Sequence, residues 1–575
     1  MVLPMLTNVV SVIGLAILVV CITQRLRAPS IVGYLLTGVL VGSGGLGIVQ
    51  SHKDVEFLAE MGVVALLFTI GLEFSVARLW EMRRSLLISG GAQVALTAAG
   101  VALIVWRLGM GPRSALFVGF AVALSSTAVV LSLLERRAEV HTPHGRVILG
   151  ALLFQDVAVV PMMLAVPLLA GQRDEASPAL LPLLAKGLAV LALFIIAGRW
   201  FVPPLLYRVA RSRERELFML TVIFLALGVA WLTSQAGLSL ALGAFLAGLI
   251  VSESEYSQRA LGSIMPLRDV FTSFFFISVG MLLDVSVILQ YPWLVLGLTV
   301  GVIGLKSALA GVGVALLGLP LRTLILSGMA LAQIGEFSFV LYSAGMAYGL
   351  LDEVQGAIFL AVAVGTLVLT PACISVAPWV ASLAQRLPLP ARWQGVHAPE
   401  YDGPPGALSD HLVIIGFGFN GAHLAQVAQE AGIAYVVLEM NPDTVRRERQ
   451  RGLPITLGDA TQEATLRHLH IERARMVVVA ISDAAASRRA TELARRLSPG
   501  CRLVVRTRFL GDVDTLKQLG ADEVIPAEFE TAVAIFRRVL ECYCVPEERI
   551  TSLVAQIRAD NYHLLRSDQP LAPPR

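Results

Sequence analysis

About thirteen apolar segments, each close to the ~20 residues that a helix needs to cross a bilayer, occupy the chain up to residue 385. Inside lipid only helices and closed barrels satisfy their own backbone hydrogen bonds, so segments of this length predict a multi-pass α-helical domain. Only 15% of the 575 residues are charged, against about 25% in an average protein. The segments are centred near Gly14, Leu40, Leu66, Ala95, Ser126, Val157, Ala192, Leu225, Gly243, Phe275, Gly304, Gly335 and Val364.

The composition changes near residue 385, where charged residues become frequent and apolar runs shorten to strand length. We therefore predict a transmembrane domain over 1–385, a proline-containing linker over 386–408, a polar domain over 409–540 and a C-terminal extension over 541–575. Arginines concentrate in the loops after odd-numbered segments, which by the positive-inside rule places the N-terminus outside and the polar domain in the cytoplasm. The net charge of +3 is spread through loops and predicts no nucleic-acid partner.

A single carboxylate, Asp156, lies inside the apolar run LFQDVAVVPMM at residues 153–163. A charge at mid-bilayer depth costs roughly 2.5–3.5 kcal/mol on insertion scales, and such residues usually mark ion or proton paths. The neighbouring Gln155 offers a neutral oxygen ligand. We predict that Asp156 binds a monovalent cation or a proton in turn; a capped structural carboxylate is the alternative.

Two segments carry polar residues and a glycine at mid-span, ALSSTAV at 123–129 and LAQIGEFSF at 331–339. In a chain divided into six segments, one linker helix and six segments, both are fifth in their half. This symmetry is typical of inverted-repeat transporters, whose substrate site lies where two broken helices cross. Glu336 would compensate the helix dipoles there. The predicted oxygen ligands are Ser125, Ser126 and Thr127, although hydroxyls that bond to their own helix are the alternative.

One lysine, Lys306, lies in the eleventh segment, GVIGLKSALAG at 301–311. A buried ammonium group needs a partner of opposite charge, and the carboxylate of Asp156, also within an apolar segment, is the best candidate. We predict that the two form an ion pair, and that a cation arriving at Asp156 displaces Lys306, which then releases a proton. Snorkelling of Lys306 to the membrane interface is the alternative.

A glycine fingerprint follows the linker, in DHLVIIGFGFNG at residues 410–421. A strand, three glycines in G-x-G-x-x-G spacing and a following helix are typical of a site that binds a phosphate at the helix N-terminus. Glu439, about 20 residues further on, can accept hydrogen bonds from ribose hydroxyls. Further alternation of strand and helix predicts a Rossmann-like, doubly wound parallel sheet. A domain that only dimerises is the alternative. The predicted nucleotide-binding residues are Gly416, Gly418, Phe419, Asn420, Gly421, Glu439, Asp459 and Arg506, with AMP, ATP and NAD(H) left open.

Together, the aspartate run, ALSSTAVV, GEFSFV, Lys306 and GFGFNG resemble the Kef-type potassium/proton antiporters of the second monovalent cation/proton antiporter family. The C-terminal part resembles the nucleotide-binding, TrkA-N-like regulator of potassium conductance. The resemblance implies a sodium/proton-antiporter fold and a homodimer in the bacterial inner membrane. The C-terminal extension differs from that expected of the glutathione-gated branch, and we interpret it as a truncated second regulatory subdomain. Gln155 before Asp156 matches members associated with K⁺. Phe419 stands where the glutathione-gated branch has an arginine, which argues against glutathione control.

The predicted function is secondary-active exchange of K⁺ for H⁺, regulated by nucleotide. Three alternatives remain open. Na⁺/H⁺ exchange would use the same fold, and a ligand-gated potassium channel would need a TVGYG-like filter that the sequence lacks. A membrane-anchored NAD-dependent oxidoreductase would need a catalytic acid/base set after the sheet, and we identify none, so we predict that the chain is not an enzyme.

Overall fold

The computed structural model describes residues 2–25, 29–42, 45, 47, 53–73, 85–137, 139–140, 142–170, 200–212, 214–235, 240–252, 254–384, 409–508 and 510–559. The chain divides into two compact units. The first comprises residues 1–133, 146–318 and 324–380. The second comprises residues 381–575 together with two short segments, 134–145 and 319–323.

The described residues up to 384 form helices, with one π-helical turn, Ser85–Gly90, that leads into α4. Among the described residues, eight helical stretches are long and apolar enough to cross a membrane. The helices are α1 (Val2–Arg25), α2 (Ser30–Val41), α3 (Lys53–Glu73), α4 (Gly91–Arg107), α5 (Pro112–Ala123), α6 (Thr127–Arg136), α7 (Pro143–Ala170), α8 (Val202–Arg211), α9 (Arg215–Gln235), α10 (Leu240–Ser252), α11 (Ser257–Met281), α12 (Val285–Gln290), α13 (Pro292–Ala315), α14 (Leu321–Ala330), α15 (Glu336–Ala347) and α16 (Glu353–Ala384).

These helices agree with the segments predicted from the apolar pattern. All the predicted segments except the seventh coincide with one helix or with a pair of half-helices. The seventh, centred near Ala192, lies outside the described residues. The fifth and twelfth segments are each broken, as predicted: α5 and α6 flank one break, and α14 and α15 flank the other.

Small residues allow close helix contacts in the first unit. A side chain added at Gly38 of α2 would overlap the α11 backbone at Ile277, and one added at Gly71 of α3 would overlap the α10 backbone at Phe245. Such contacts replace the hydrophobic driving force that is absent between helices in lipid, because close backbones gain van der Waals contact.

The second unit contains a six-stranded sheet in which every strand pairs in parallel, in the order β3-β2-β1-β4-β5-β6. This order confirms the predicted doubly wound sheet. The strands are β1 (Leu412–Ile415), β2 (Tyr435–Glu439), β3 (Ile455–Leu457), β4 (Met476–Val479), β5 (Arg502–Thr507) and β6 (Glu523–Pro526). The helices are α17 (Phe419–Glu430), α18 (Pro442–Gln450), α19 (Glu463–His468), α20 (Ala484–Leu497), α21 (Val513–Gln518), α22 (Ala527–Cys542) and α23 (Glu547–Ala559).

The chain turns sharply between β1 and α17. All four residues of β1 are buried, as expected for a central parallel strand covered on both faces. Gly416 then adopts a φ of +101°, which favours glycine. A side chain at Gly421 would overlap the Gly416 carbonyl oxygen, so this glycine lets α17 pack directly onto the turn.

We predict that Gly421→Ala destabilises the β1–α17 region by about 1–3 kcal/mol, the usual cost of overpacking. Hydrogen exchange of β1 amides in the full chain, followed by mass spectrometry, should become faster. Gly418→Ala is the matched control, because nothing lies within 4 Å of a Cβ there and its φ of −76° suits any residue. Equal exchange rates in the two variants would contradict the packing role of Gly421.

Candidate functional site

The two breaks in the helices of the first unit meet each other. The segments 124–126 and 331–335, together called the crossover, are linked where the Gly335 amide donates to the Leu124 carbonyl oxygen at 3.0 Å. The Ser125 hydroxyl donates to the Leu331 carbonyl oxygen at 2.8 Å. A side chain at Gly335 would overlap the backbone of Ser125, so glycine is required for this approach. The predicted crossing of two broken helices is confirmed.

Lys306 of α13 is fully buried and binds the crossover. Its Nζ donates to the carbonyl oxygens of Leu124 at 2.8 Å and Gln333 at 2.7 Å, and to the Ser125 hydroxyl at 3.1 Å. These bonds use all three donors of the ammonium group. The predicted ion pair between Lys306 and Asp156 is therefore wrong. The physical reason is that carbonyls left without helical partners past α5 and α14 attract a cation.

Glu336 lies at helix N-termini, whereas Lys306 lies at carbonyl groups that follow helix C-termini. It is the first residue of α15, is 4% exposed, and its Oε1 is 3.5 Å from the Ala128 amide in the first turn of α6. An anion at two helix N-termini is electrostatically favourable, and this is the position that the predicted dipole-compensating role requires. Ser126 adds a further contact at the start of α6, because its Oγ accepts from the Val129 amide at 3.3 Å.

Asp156 of α7 lies beside the start of α6. The Thr127 hydroxyl is 3.1 Å from its Oδ1 and 3.3 Å from its Oδ2, and Asp156 is 6% exposed. One of the three predicted hydroxyl ligands, Thr127, thus contacts the carboxylate directly. Ser125 and Ser126 use their hydroxyls to hold the crossover in this conformation.

Gln155 connects α7 to the crossover and to α4. Its Oε1 accepts from the Ser125 amide at 2.7 Å, and its Nε2 donates to Gln93 Oε1 at 2.6 Å. Gln93 in turn donates to the Ala123 carbonyl oxygen at 3.1 Å. Gln155 thus orders the break after α5, and any role as a cation ligand is additional to this one.

Sequence reasoning missed Gln93 and Gln333, both almost fully buried amides in apolar segments. Within the described residues, neither side-chain polar atom of Gln333 has a hydrogen-bond partner, and Glu336 Oε2 has none either. A polar residue within a membrane-length apolar run is the signal that would have identified both glutamines.

The glycine fingerprint of the second unit leaves a helix N-terminus open. Gly418 is the N-cap of α17 and, as a glycine, has no side chain with which to cap the helix amides. Glu439, at the end of β2, accepts from the amides of Phe417 at 2.7 Å, Met440 at 2.9 Å and Asn441 at 2.8 Å. The predicted ribose ligand therefore also holds the fingerprint turn in place. An uncapped helix N-terminus beside this turn fits a phosphate group.

The remaining predicted nucleotide residues differ in exposure. Phe419 and Asn420 are exposed, and the Phe419 ring lies 4.4 Å from the ring of His423. Asp459 is 1% exposed, its Oδ1 accepts from the amide and hydroxyl of Thr461, and burial raises its pKa. Among the described residues, Asp459 Oδ2 and Arg506 Nε have no hydrogen-bond partner. Buried polar atoms of this kind fit a site that a polar ligand completes.

Two domain families match the chain. The sodium/hydrogen exchanger transmembrane family matches residues 12–380, and the TrkA-N domain matches residues 412–527. The putative K(+) efflux antiporter KefB of Alkalimonas amylolytica is 34% identical over 98% of this chain and 85% of its own length.

Two further relatives have similar coverage. The glutathione-regulated potassium-efflux system protein KefC of Cronobacter sakazakii is 34% identical over 95% of this chain and 86% of its own length. The putative cation/proton antiporter YbaL of Escherichia coli is 32% identical over 92% of this chain and 96% of its own length. With the crossed broken helices and the parallel sheet, these matches show that the chain belongs to the sodium/hydrogen exchanger family, in its Kef-type antiporter branch, and carries a TrkA-N domain.

Proposed function

We propose that this protein is a secondary-active antiporter that exchanges K⁺ for H⁺ at Asp156. The observation that carries the proposal is a buried carboxylate in contact with Thr127 at the start of a broken helix. An ionised carboxylate accepts a cation, whereas a protonated one is neutral and does not, so the two occupants exclude each other. The relatives named as potassium-efflux or cation/proton antiporters support the same chemistry.

The proposed exchange depends on Asp156 alone changing its charge. Lys306 and Glu336 hold the ends of the four half-helices, and their charges are of opposite sign. A proton or one monovalent cation then binds on one side of the membrane and is released on the other as the site alternates its access. This replaces the scheme in which Lys306 leaves Asp156 to release a proton.

We further propose that an adenine nucleotide at the fingerprint regulates transport. The uncapped N-terminus of α17 would hold its phosphate, while Glu439 would receive the ribose. AMP, ATP and NAD(H) all carry these groups. The protein would act as a homodimer in the bacterial inner membrane, as the family resemblance implies, with the sheet domain in the cytoplasm, as the arginines of its loops predict.

Na⁺/H⁺ exchange is the second candidate, because the matching transmembrane family is described as a sodium/hydrogen exchanger. Proteoliposomes titrated separately with KCl and NaCl distinguish the two. We expect proton movement to saturate at a lower concentration of K⁺ than of Na⁺, and the reverse order would favour Na⁺ exchange.

We predict that Asp156→Asn abolishes exchange, since an amide neither binds nor releases a proton in the physiological range. K⁺-driven proton flux in proteoliposomes under an imposed pH gradient should fall to the level of protein-free liposomes. Asp284→Asn is the control, because Asp284 is exposed and an asparagine can still cap α12 at the Ser286 amide. Retained flux in Asp156→Asn would refute the proposed site.

We predict that Lys306→Gln lowers thermal stability but keeps the coupling of K⁺ to H⁺. The shorter amide cannot satisfy both carbonyls, and each buried acceptor left without a donor costs about 1–3 kcal/mol. Thermal unfolding in detergent should therefore shift to lower temperature, whereas Lys517→Gln, at an exposed site, should leave it unchanged. Cation flux without proton countertransport in Lys306→Gln would restore the exchanging role to Lys306.

A further inference from the structure

An arginine far from the fingerprint in sequence lies at the same edge of the sheet. In the second unit, Arg322 Nη2 donates to Asp483 Oδ2 at 2.7 Å, and the two side chains are 7% and 11% exposed. The neighbouring Thr323 hydroxyl lies 3.5 Å from the sulfur of Met440. The segment 319–323 is therefore held at two points on the sheet domain.

These two points lie on either side of the fingerprint. Met440 directly follows β2, Asp483 follows β4 by four residues, and β1 lies between these strands. A side chain at Gly416 would contact Ile481, so the turn that leads to Asp483 is adjacent to the fingerprint. Segment 319–323 thus lies across the carboxyl edge of β2, β1 and β4, where doubly wound sheets bind their ligands.

The charges at this edge of the sheet favour a change of partner for Arg322, from Asp483 to a phosphate. The fingerprint, residues 416–421, contains no lysine or arginine, so it offers a phosphate no cationic side chain of its own. Arg322 is in the first turn of α14, where a cation is unfavourable unless an anion is near. Asp483 would stay bonded if Arg322 left, because its Oδ1 accepts from the amides of Ala485 and Ala486.

A second carboxylate faces the same guanidinium. Asp459, whose Oδ2 has no hydrogen-bond partner in the described part of the chain, interacts electrostatically with Arg322, as do Asp483 and Glu139. Burial alone would raise the pKa of Asp483, but the charge of Arg322 holds it below its usual range. Arg322 is therefore a cation that interacts with three carboxylates, those of Asp483, Asp459 and Glu139.

We propose that Arg322 is a phosphate ligand of the nucleotide site, and that it exchanges Asp483 for the phosphate when nucleotide binds. The inference rests on the proposed nucleotide binding and adds segment 319–323 as a wall of that site. It also connects nucleotide binding to the transmembrane unit through a single helix. Helix α14 carries Arg322 near its start, and residues 331–335 of the crossover follow its last residue, Ala330, in the chain.

Two substitutions in one ion pair should have opposite effects on binding. The full chain in nanodiscs is titrated with AMP, ATP and NADH by calorimetry, and adenosine serves as the probe that lacks a phosphate. Arg322→Gln should weaken AMP binding at least roughly tenfold, the loss of one charge-assisted phosphate contact, and leave adenosine binding unchanged. Asp483→Asn should tighten AMP binding several-fold, because asparagine still caps α20 but no longer competes for the guanidinium.

The control is Arg488→Gln, which removes another arginine–aspartate pair of the same domain, Arg488–Asp512 at 2.8 Å, and should leave AMP binding unchanged. Wild-type AMP affinity in Arg322→Gln, or weaker binding in Asp483→Asn, would overturn the proposal while leaving nucleotide regulation intact. Should Arg322→Gln not fold, the Asp483→Asn result decides alone. A wild-type chain that binds none of the three nucleotides would refute nucleotide regulation and this inference together, and the Asp156→Asn flux assay would still test antiport.

Discussion

The arrangement of the membrane unit depends on one ammonium group in contact with the ends of two broken helices. Each break leaves carbonyl groups without helical partners, and in a water-free interior such groups must be satisfied within the protein. Lys306 donates to one carbonyl on each broken segment and to the hydroxyl between them. Without this cation the two segments would bring partial negative charges together, so the crossover and the lysine require each other.

The same electrostatic rule orders the rest of the site. A cation lies at the ends where carbonyls are exposed, and Glu336 lies at the ends where amides are exposed. With those charges engaged in structure, Asp156 is the carboxylate at which we propose that proton and cation exchange. Gln155 and Gln93 fix the break nearest to it through hydrogen bonds to the Ser125 amide and the Ala123 carbonyl oxygen. A hydrogen-bonded crossover beside Asp156 suits the proposed exchange of one positive species for another.

Among the described residues, the buried cation of the membrane unit is Lys306, and the corresponding buried cation of the second unit is Arg322. The fingerprint of the second unit contains no lysine or arginine, and in the proposed nucleotide site Arg322 would supply the cation from a segment more than ninety residues earlier in the chain. Helix α14 begins beside Arg322 and is followed in the chain by the crossover, so in the proposed scheme a nucleotide that changed the partner of this side chain would act on a helix that leads into the crossover. Regulation and transport would then share a single secondary-structure element.

The sequence by itself determined the spans, the two breaks, the buried Asp156 and the parallel sheet, because each depends on the local pattern of apolar residues, glycines and charges. It did not determine which groups meet. The choice of Asp156 as partner for Lys306 was wrong because complementary charge says nothing about which helices are neighbours, and main-chain carbonyls have no signature in a list of side chains. Only the tertiary structure gave Lys306 its carbonyl partners, Gln155 its place in an amide network, and Arg322 its ion pair with Asp483.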